Sequence, residues 1–252
     1  MGSTRLPGKV LMNLAGRSVL WHIITRLRQA EYLDQICVAT TDDHQDDCIV
    51  EACQTMNIQV YRGSTEDVLS RYYDCAKFLG MNPKSHDYII RITADCPFVD
   101  PKIVDTLIGI AVSEKYDYVS NIDPPTFPDG LDVEVFKFDA LEYAYMHARR
   151  SSEREHVTPH IRNNPLLSKY NYTSPTDLSN IRLTLDTYED FMLISSIYKR
   201  LYQEGKIISL NDVLDVLSTH PELLDINARF QRNEGYLKSL SNDRQLNGDC
   251  PR

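Results

Sequence analysis

Short runs rich in β-branched and aromatic residues alternate along the chain with stretches whose apolar positions recur every three or four residues. Gln35 to Thr40 (QICVAT), Ile58 to Tyr61, Tyr88 to Thr93 (YIIRIT), Tyr116 to Ser120 and Ile181 to Leu185 read as strands. Leu20, Ile23, Ile24 and Leu27 form one helical stripe that starts just after Ser18, a residue suited to capping. Asp42 or Asp43 stands where a second helix needs its cap, with Ile49, Val50 and Cys53 turned inward. Pro101 occupies a first-turn position before Ile103, Val104, Leu107 and Ile108. Strands and helices in strict alternation predict an α/β protein: three layers, α/β/α, around a mostly parallel sheet.

The alternation breaks at Asp123 to Gly130 (DPPTFPDG), where three prolines and a glycine predict a loop leaving the sheet layer. Leu131 to Lys137 then alternates, placing Asp132 and Glu134 on one face of a strand and Val133 and Val135 on the other. Residues 138–180 read as helices and a polar connection, so 123–180 is expected to form a lobe over one sheet edge, to which the resemblance described below would give a sugar-binding or dimerisation role. Periodic helices follow at 187–204 and 209–219, and the polar, aperiodic stretch from Ser239 onward predicts a frayed tail at 239–252. The expectation is one domain over 1–238.

Composition narrows the function classes. Of 252 residues, 27 are Lys or Arg and 36 Asp or Glu, for a net charge of −9. That balance, with no clustered cations, argues against a nucleic-acid or membrane-surface protein. No apolar run approaches the ~18 residues of a membrane helix, and no leader-like apolar segment follows Arg5 and Lys9, so a cytoplasmic protein is expected. Six cysteines occur without a C-x-x-C pair, and Cys37, Cys48, Cys53 and Cys75 read as buried small apolar residues. A chain of this length holds a core without disulfides or metal, so any metal serves chemistry.

Four places carry candidate chemistry. Gly2-Ser3-Thr4-Arg5-Leu6-Pro7-Gly8-Lys9 combines small residues, which let amides approach an anion, with two cations. It is not a Walker A loop, because five residues separate Gly2 from Gly8 and Val10 follows Lys9. Asp95 and Asp186 each follow a strand, where ligands bind in open α/β sheets. Together they would suit Mg²⁺, which takes one or two carboxylates and completes its shell with phosphate oxygens; alternatively each caps the next helix. Gly63 to Tyr72 opens a helix with Ser64 and Arg71 placed for a base or ribose, unless Ser64 is simply the cap and Asp67 pairs with Arg71. Ser152 to Pro159 sets Arg154 and His156 at a helix start, suited to a carboxylate-bearing ligand, and His160 keeps a metal reading open. The G-x-S-x-G, H-E-x-x-H and G-x-G-x-x-G signatures are absent.

GSTRLPGK at 2–9, GSTEDVLSRY at 63–72, RITADCPFVDP at 91–101, FPDGLDVEVF at 127–136, SEREHVTP at 152–159 and RLTLDTYEDF at 182–191 run in order along nearly the whole chain. Together they resemble the SpsF group (spore coat polysaccharide biosynthesis protein F) of cytidylyltransferases, related to the acylneuraminate and 3-deoxy-manno-octulosonate cytidylyltransferases. The resemblance implies a nucleotide-diphospho-sugar transferase fold. It also implies Mg²⁺-dependent transfer from CTP to a sugar acid, giving a CMP-sugar and pyrophosphate for cell-surface or spore-coat polysaccharide, and a homodimer. Carried over by motif, Gly2, Ser3, Arg5 and Lys9 would grip the triphosphate, Asp95 and Asp186 the metal, and Ser64, Arg71 and Asp95 the nucleotide. Arg5, Lys9 and Asp95 would be catalytic, and Asp132, Glu134, Arg154 and His156 would face the sugar.

Three departures stand out. A hydrophobic first strand usually precedes this loop in the group, whereas Met1 stands directly before Gly2. In a doubly wound sheet such a strand is usually central, so its loss is expected to expose backbone donors and acceptors as well as a large apolar area. Tyr188 replaces a common proline, and Cys96 fills a variable position. Two other readings stay open: a non-catalytic nucleotide or sugar-phosphate binding protein, and a related glycosyltransferase, though Asp132-Val133-Glu134 is not the D-x-D such an enzyme would want.

Overall fold

The computed structural model describes residues 1–85 and 87–246. A small antiparallel hairpin, β1 (Asn13–Leu14) with β2 (Arg17–Ser18), leads into helix α1 (Val19–Leu27). Ser18 caps α1 as expected, its hydroxyl accepting from the Trp21 amide. Strands β3 (Cys37–Thr41) and β4 (Gln59–Gly63) pair in parallel and flank α2 (Asp47–Thr55). Asp43 caps a 3₁₀ turn at His44–Asp46 rather than α2 itself.

A second sheet holds β5 (Tyr88–Arg91), β6 (Tyr118–Ser120), β7 (Glu134–Lys137) and β8 (Lys169–Asn171) in the order β5-β7-β6-β8. β7 runs antiparallel to both neighbours while β6 and β8 are parallel, so β5, β6 and β8 share one direction. No ladder joins β3 to β5 among the described residues.

Helices cover both faces and hold the two sheets together. Val19, Ile23 and Leu27 of α1 enter the main core with Val104 and Leu107 of α4 (Pro101–Ser113), while Leu20 and Ile24 pack on Ile49 and Cys53 of α2. Elsewhere α3 (Val68–Phe78), α5 (Phe138–His147) and α7 (Pro159–Arg162) close over Phe136 through Leu69, Leu141 and Ile161. α6 (Ser151–His156), α8 (Tyr188–Leu201), α9 (Leu210–Thr219) and α10 (Glu234–Leu246) complete the chain. No helix among the described residues is long and apolar enough to cross a membrane.

Several expectations are corrected. Ile181 to Leu185 forms no ladder: it meets the Asp129 backbone at one bridge, with Asp129 N to Ile181 O at 2.9 Å and Leu183 N to Asp129 O at 2.7 Å. Its partner is the proline-rich loop, which Gly130 turns away at a φ of 100°. A Cβ on Gly130 would fall 2.5 Å from the Thr184 backbone nitrogen, so only glycine fits this approach.

The residues after 138 do more than lie over a sheet edge, because β8 is itself the edge strand. The tail expected from Ser239 is helical as far as Leu246, since Ser239 and Asp243 are buried; its last residues, 247–252, lie outside the described ones. Cys37 and Cys48 are half-buried rather than buried, and Cys37, Cys48, Cys53, Cys75 and Cys96 are free thiols.

Candidate active site

The four residues on which the sequence reading turned meet at one point. Lys9 Nζ donates to Asp95 Oδ2 at 2.7 Å and to Asp186 Oδ1 at 2.8 Å. Arg5 Nη2 reaches the other Asp186 oxygen at 2.8 Å and its Nη1 reaches Glu234 at 3.0 Å. The loop is shaped for this by Gly8, whose left-handed φ of 72° starts the 3₁₀ turn Lys9–Leu11, and by Ser3, whose hydroxyl accepts from the Leu6 amide. Asp95 and Asp186 are brought to one rim directly, because Leu185 N donates to Asp95 O at 2.8 Å.

Capping and ligand roles, inseparable by pattern, separate here. Thr187 caps α8 in a reciprocal box with Asp190, and Asp100 caps α4. Asp95 and Asp186 are therefore free of capping duty and turn their oxygens to a shared cation. Burial works against the charge on Lys9, yet the two carboxylates outweigh it and hold its pKa above the ordinary value. Burial likewise opposes ionisation of Asp95, and the Lys9 charge and hydrogen bond overcome it, leaving Asp95 below the ordinary carboxylate range.

Behind this rim lies a buried network the sequence reading missed. Arg182, 8% exposed, donates from Nε to Asp190 Oδ1 and from Nη1 to Asp129 Oδ2, both at 2.9 Å, and from Nη2 to Asp186 Oδ2 at 3.3 Å. Asn227 adds a bond to Asp190 at 2.8 Å. Arg232 bonds Asp132 and the Phe127 carbonyl, and lies 4.0 Å from Asp129. The C-terminal segment thus straps across the site. Burial, eased by Arg232 and reinforced by the neighbouring Asp129, Glu134 and Asp95, pushes Asp132 up to about 7. Its side chain keeps 30% exposure, so solvent tempers that rise.

The remaining expected residues fall elsewhere. Ser64 accepts from the Asp67 amide at 3.0 Å, and Arg71 donates to the Ser64 carbonyl at 2.6 Å, at the carboxyl end of β4. Asp67, not Ser64, caps α3, and it pairs with Arg154 instead of Arg71.

Arg154 does not face open space: its Nε and Nη2 bond Asp67 and its Nη1 bonds the Tyr145 carbonyl at 2.8 Å. Glu134, 2% exposed, is held by Arg91 at 2.6 Å and by the Tyr118 hydroxyl at 2.6 Å. His156 meets Ser239 at 3.1 Å, whereas His160 faces Glu153 at 3.3 Å, so the two imidazoles serve different partners. Among the described residues no three His, Cys, Asp or Glu side chains are grouped to hold a metal ion.

Comparison with known proteins identifies the family. The model of a family described as cytidylyltransferase matches residues 1–217. The chain is 32% identical over 230 residues to the spore coat polysaccharide biosynthesis protein SpsF of Bacillus subtilis, covering 88% of this chain and 92% of that one. It is 29% identical over 109 residues to a 3-deoxy-manno-octulosonate cytidylyltransferase of Anaeromyxobacter dehalogenans, 43% of this chain and 42% of that one. A solved cytidylyltransferase from Leptospira borgpetersenii superposes with a TM-score of 0.82 at 31% identity, over 89% of this chain and 92% of that one. The fold is the nucleotide-diphospho-sugar transferase fold. With its family's pattern matched from the Gly2 loop into α9, and an SpsF relative aligned along most of its length, this chain belongs to the cytidylyltransferases.

Proposed function

We propose that the protein transfers the cytidylyl group of CTP to a hydroxyl of a sugar acid, releasing pyrophosphate, with Mg²⁺ held by Asp95 and Asp186. The observation that carries this is the convergence of both carboxylates on one cationic centre, the Lys9 ammonium, at 2.7 and 2.8 Å. Two partly exposed carboxylates, with phosphate oxygens to complete the shell, are a donor set that fits Mg²⁺. Bound there, the ion would neutralise charge on the triphosphate.

The chain's own residues do the rest. With Asp95 and Asp186 engaged in holding the ion, Lys9 and Arg5 would be available to bind the β- and γ-phosphates. Ser64 and Arg71, at the end of β4, hold the nucleoside side. The acceptor oxygen bonds to the α-phosphorus as the bond to the pyrophosphate oxygen breaks, and positioning plus charge neutralisation supply most of the acceleration. Asp132 takes the hydroxyl proton, since a carboxylate with a pKa of about 7 is matched to general-base work near neutrality. A sugar acid as acceptor is supported by the partial relative named for 3-deoxy-manno-octulosonate, and cell-surface polysaccharide as the destination by the likeness to SpsF.

The test is pyrophosphate release by the purified chain with CTP, Mg²⁺ and a panel of sugar acids beginning with 3-deoxy-manno-octulosonate. Release should need all three together and should fall to near background in Asp95→Asn and Asp186→Asn. Normal rates in both variants would end the proposal. CTP binding without turnover on any acceptor would favour the non-catalytic alternative.

A further inference from the structure

Among the cations lining this side of the molecule, Arg162 alone is left without a polar partner by the described residues. Arg5, Arg91, Arg154, Arg182 and Arg232 each pair with a carboxylate. Arg162, at the C-terminal end of α7, has a buried Nε with no hydrogen-bond partner. Its carbonyl is used by Lys169, but its side-chain donors are not. Leaving a guanidinium half-desolvated and unpaired is costly, and a fold keeps such a group where a ligand completes it.

What surrounds Arg162 defines the ligand. Its guanidinium lies 5.5 Å from the centroid of the Tyr236 ring, which fixes the plane of the fork. His156 meets the same ring edge-on at 5.1 Å and touches Ser239, whose hydroxyl donates to Glu155. Arg162 and Arg91 both act on His156 and Glu134 electrostatically, and Arg91 too has a buried, unbonded Nε. Glu134 and Glu155 match the two guanidinium groups in charge, but Glu134 is taken by Arg91 and Glu155 by Ser239, which leaves the Arg162 fork without a carboxylate of its own among the described residues.

The cluster adjoins the reaction centre. α10 opens with Glu234, which holds Arg5 on Asp186, and continues within a turn or so through Tyr236 and Ser239 to Arg162 and His156. On the other side, Arg91 precedes Asp95 by four residues, roughly 13 Å of extended chain. A planar, fixed fork of donors matches an oxyanion, carboxylate or phosphate, better than a neutral hydroxyl.

We infer that Arg162, flanked by Arg91 and His156, binds the anionic group of the acceptor sugar; this assignment rests on the transferase reading of the cleft. It moves the role expected for Arg154 to a residue outside the quoted motifs.

Binding without CTP or metal tests it separately from turnover. The intact chain is titrated with inorganic phosphate and with 3-deoxy-manno-octulosonate, followed by calorimetry and by NMR of the arginine Nε–H signals. The Arg162 signal should move with at least one ligand. Arg162→Gln should weaken that ligand about 10- to 100-fold, the loss expected for a charged hydrogen bond, with Arg162→Lys recovering part of it and circular dichroism unchanged. A response to the sugar acid alone assigns a carboxylate, and a response to phosphate alone a phosphate ester. Equal binding of both ligands by wild type and Arg162→Gln, or a still Arg162 signal, overturns the inference. Anion binding through Arg162 in a chain that releases no pyrophosphate upholds it while failing the transferase reading.

Discussion

The Lys9 ammonium sits 2.7 Å from the Asp95 carboxylate, in the place a shared cation would take, with Asp186 closing from the other side at 2.8 Å. On the proposed reading, lysine and metal would compete for one position. Replacing Lys9 by Met should tighten binding of Mn²⁺, used as a paramagnetic reporter, by about tenfold without nucleotide, because a charged hydrogen-bonded competitor is gone. The same variant should lose roughly 10²- to 10³-fold in turnover if Lys9 later stabilises the triphosphate. Water-proton relaxation measures the first effect, and Mn²⁺ binding that weakens or stays level would refute the shared position.

Arg182 is the counter-charge for three aspartates at once, and with Asp190 wholly buried it is not a surface pair. Arg182→Met removes one cation and strands the carboxylates, and breaking a buried pair in this way costs about 3–5 kcal/mol. Urea unfolding should report a loss of that order. A change below about 1 kcal/mol would mean the network is far wetter than its burial indicates.

Asp132 sets a pH dependence whose sign follows from its shift. With a pKa of about 7 it is protonated below neutrality and ionised above, so kcat/KM should rise with pH through about 7 and then level. Asp132→Asn should flatten that limb and lower the rate by about 10²- to 10⁴-fold, the usual range for a general base. The same shift acts on stability in the opposite direction. A carboxyl whose folded pKa lies above its unfolded value favours folding at low pH, and that contribution fades between about 4 and 7, by roughly 1–2 kcal/mol once its exposed rim is allowed for. A pH-rate profile identical in wild type and Asp132→Asn would remove Asp132 from the proton path.

The local elements were legible because local rules governed them. Ser18, Pro101 and the stripes after them produce α1 and α4, and the two aspartates do share one rim, although Asp95 lies four residues past β5 and Asp186 follows a segment without a ladder. What escaped was set by contacts distant in sequence. Ile181 to Leu185 has strand composition, yet its neighbour is a loop with a glycine at a φ of 100°, so no ladder forms. Ser239 and Asp243 look like tail residues until α6 covers them, the Ser152 amide donating to Asp243 at 3.3 Å. Arg162, Arg182 and Arg232 carry no motif of their own, since what marks Arg182 and Arg232 is the acid folded against each, and what marks Arg162 is the want of one among the described residues. Arg182 alone left a trace, four residues before Asp186 in the same quoted segment.

Arg154 shows how a charged motif misleads and how to check it. Its fork joins α6 to Asp67 at the start of α3 and to the Tyr145 carbonyl at the end of α5, with the guanidinium 5.3 Å from the Tyr145 ring centroid. With side-chain exposures of 23% for Arg154 and 31% for Asp67, the pair is neither a free surface contact nor fully desolvated. Arg154→Ala should therefore lower stability by about 1–2 kcal/mol, above the surface-pair range because a backbone carbonyl also loses its donor. Once an acceptor is in hand, its KM should move less than about twofold in this variant, because uniform binding lost from the substrate would appear as a KM rise with kcat unchanged. Asp67→Asn should reproduce the stability loss, since the two residues form one joint. If Arg154→Ala instead raised the acceptor KM tenfold or more at unchanged stability, the guanidinium would have to leave Asp67 for the substrate, and the anion role would return to Arg154.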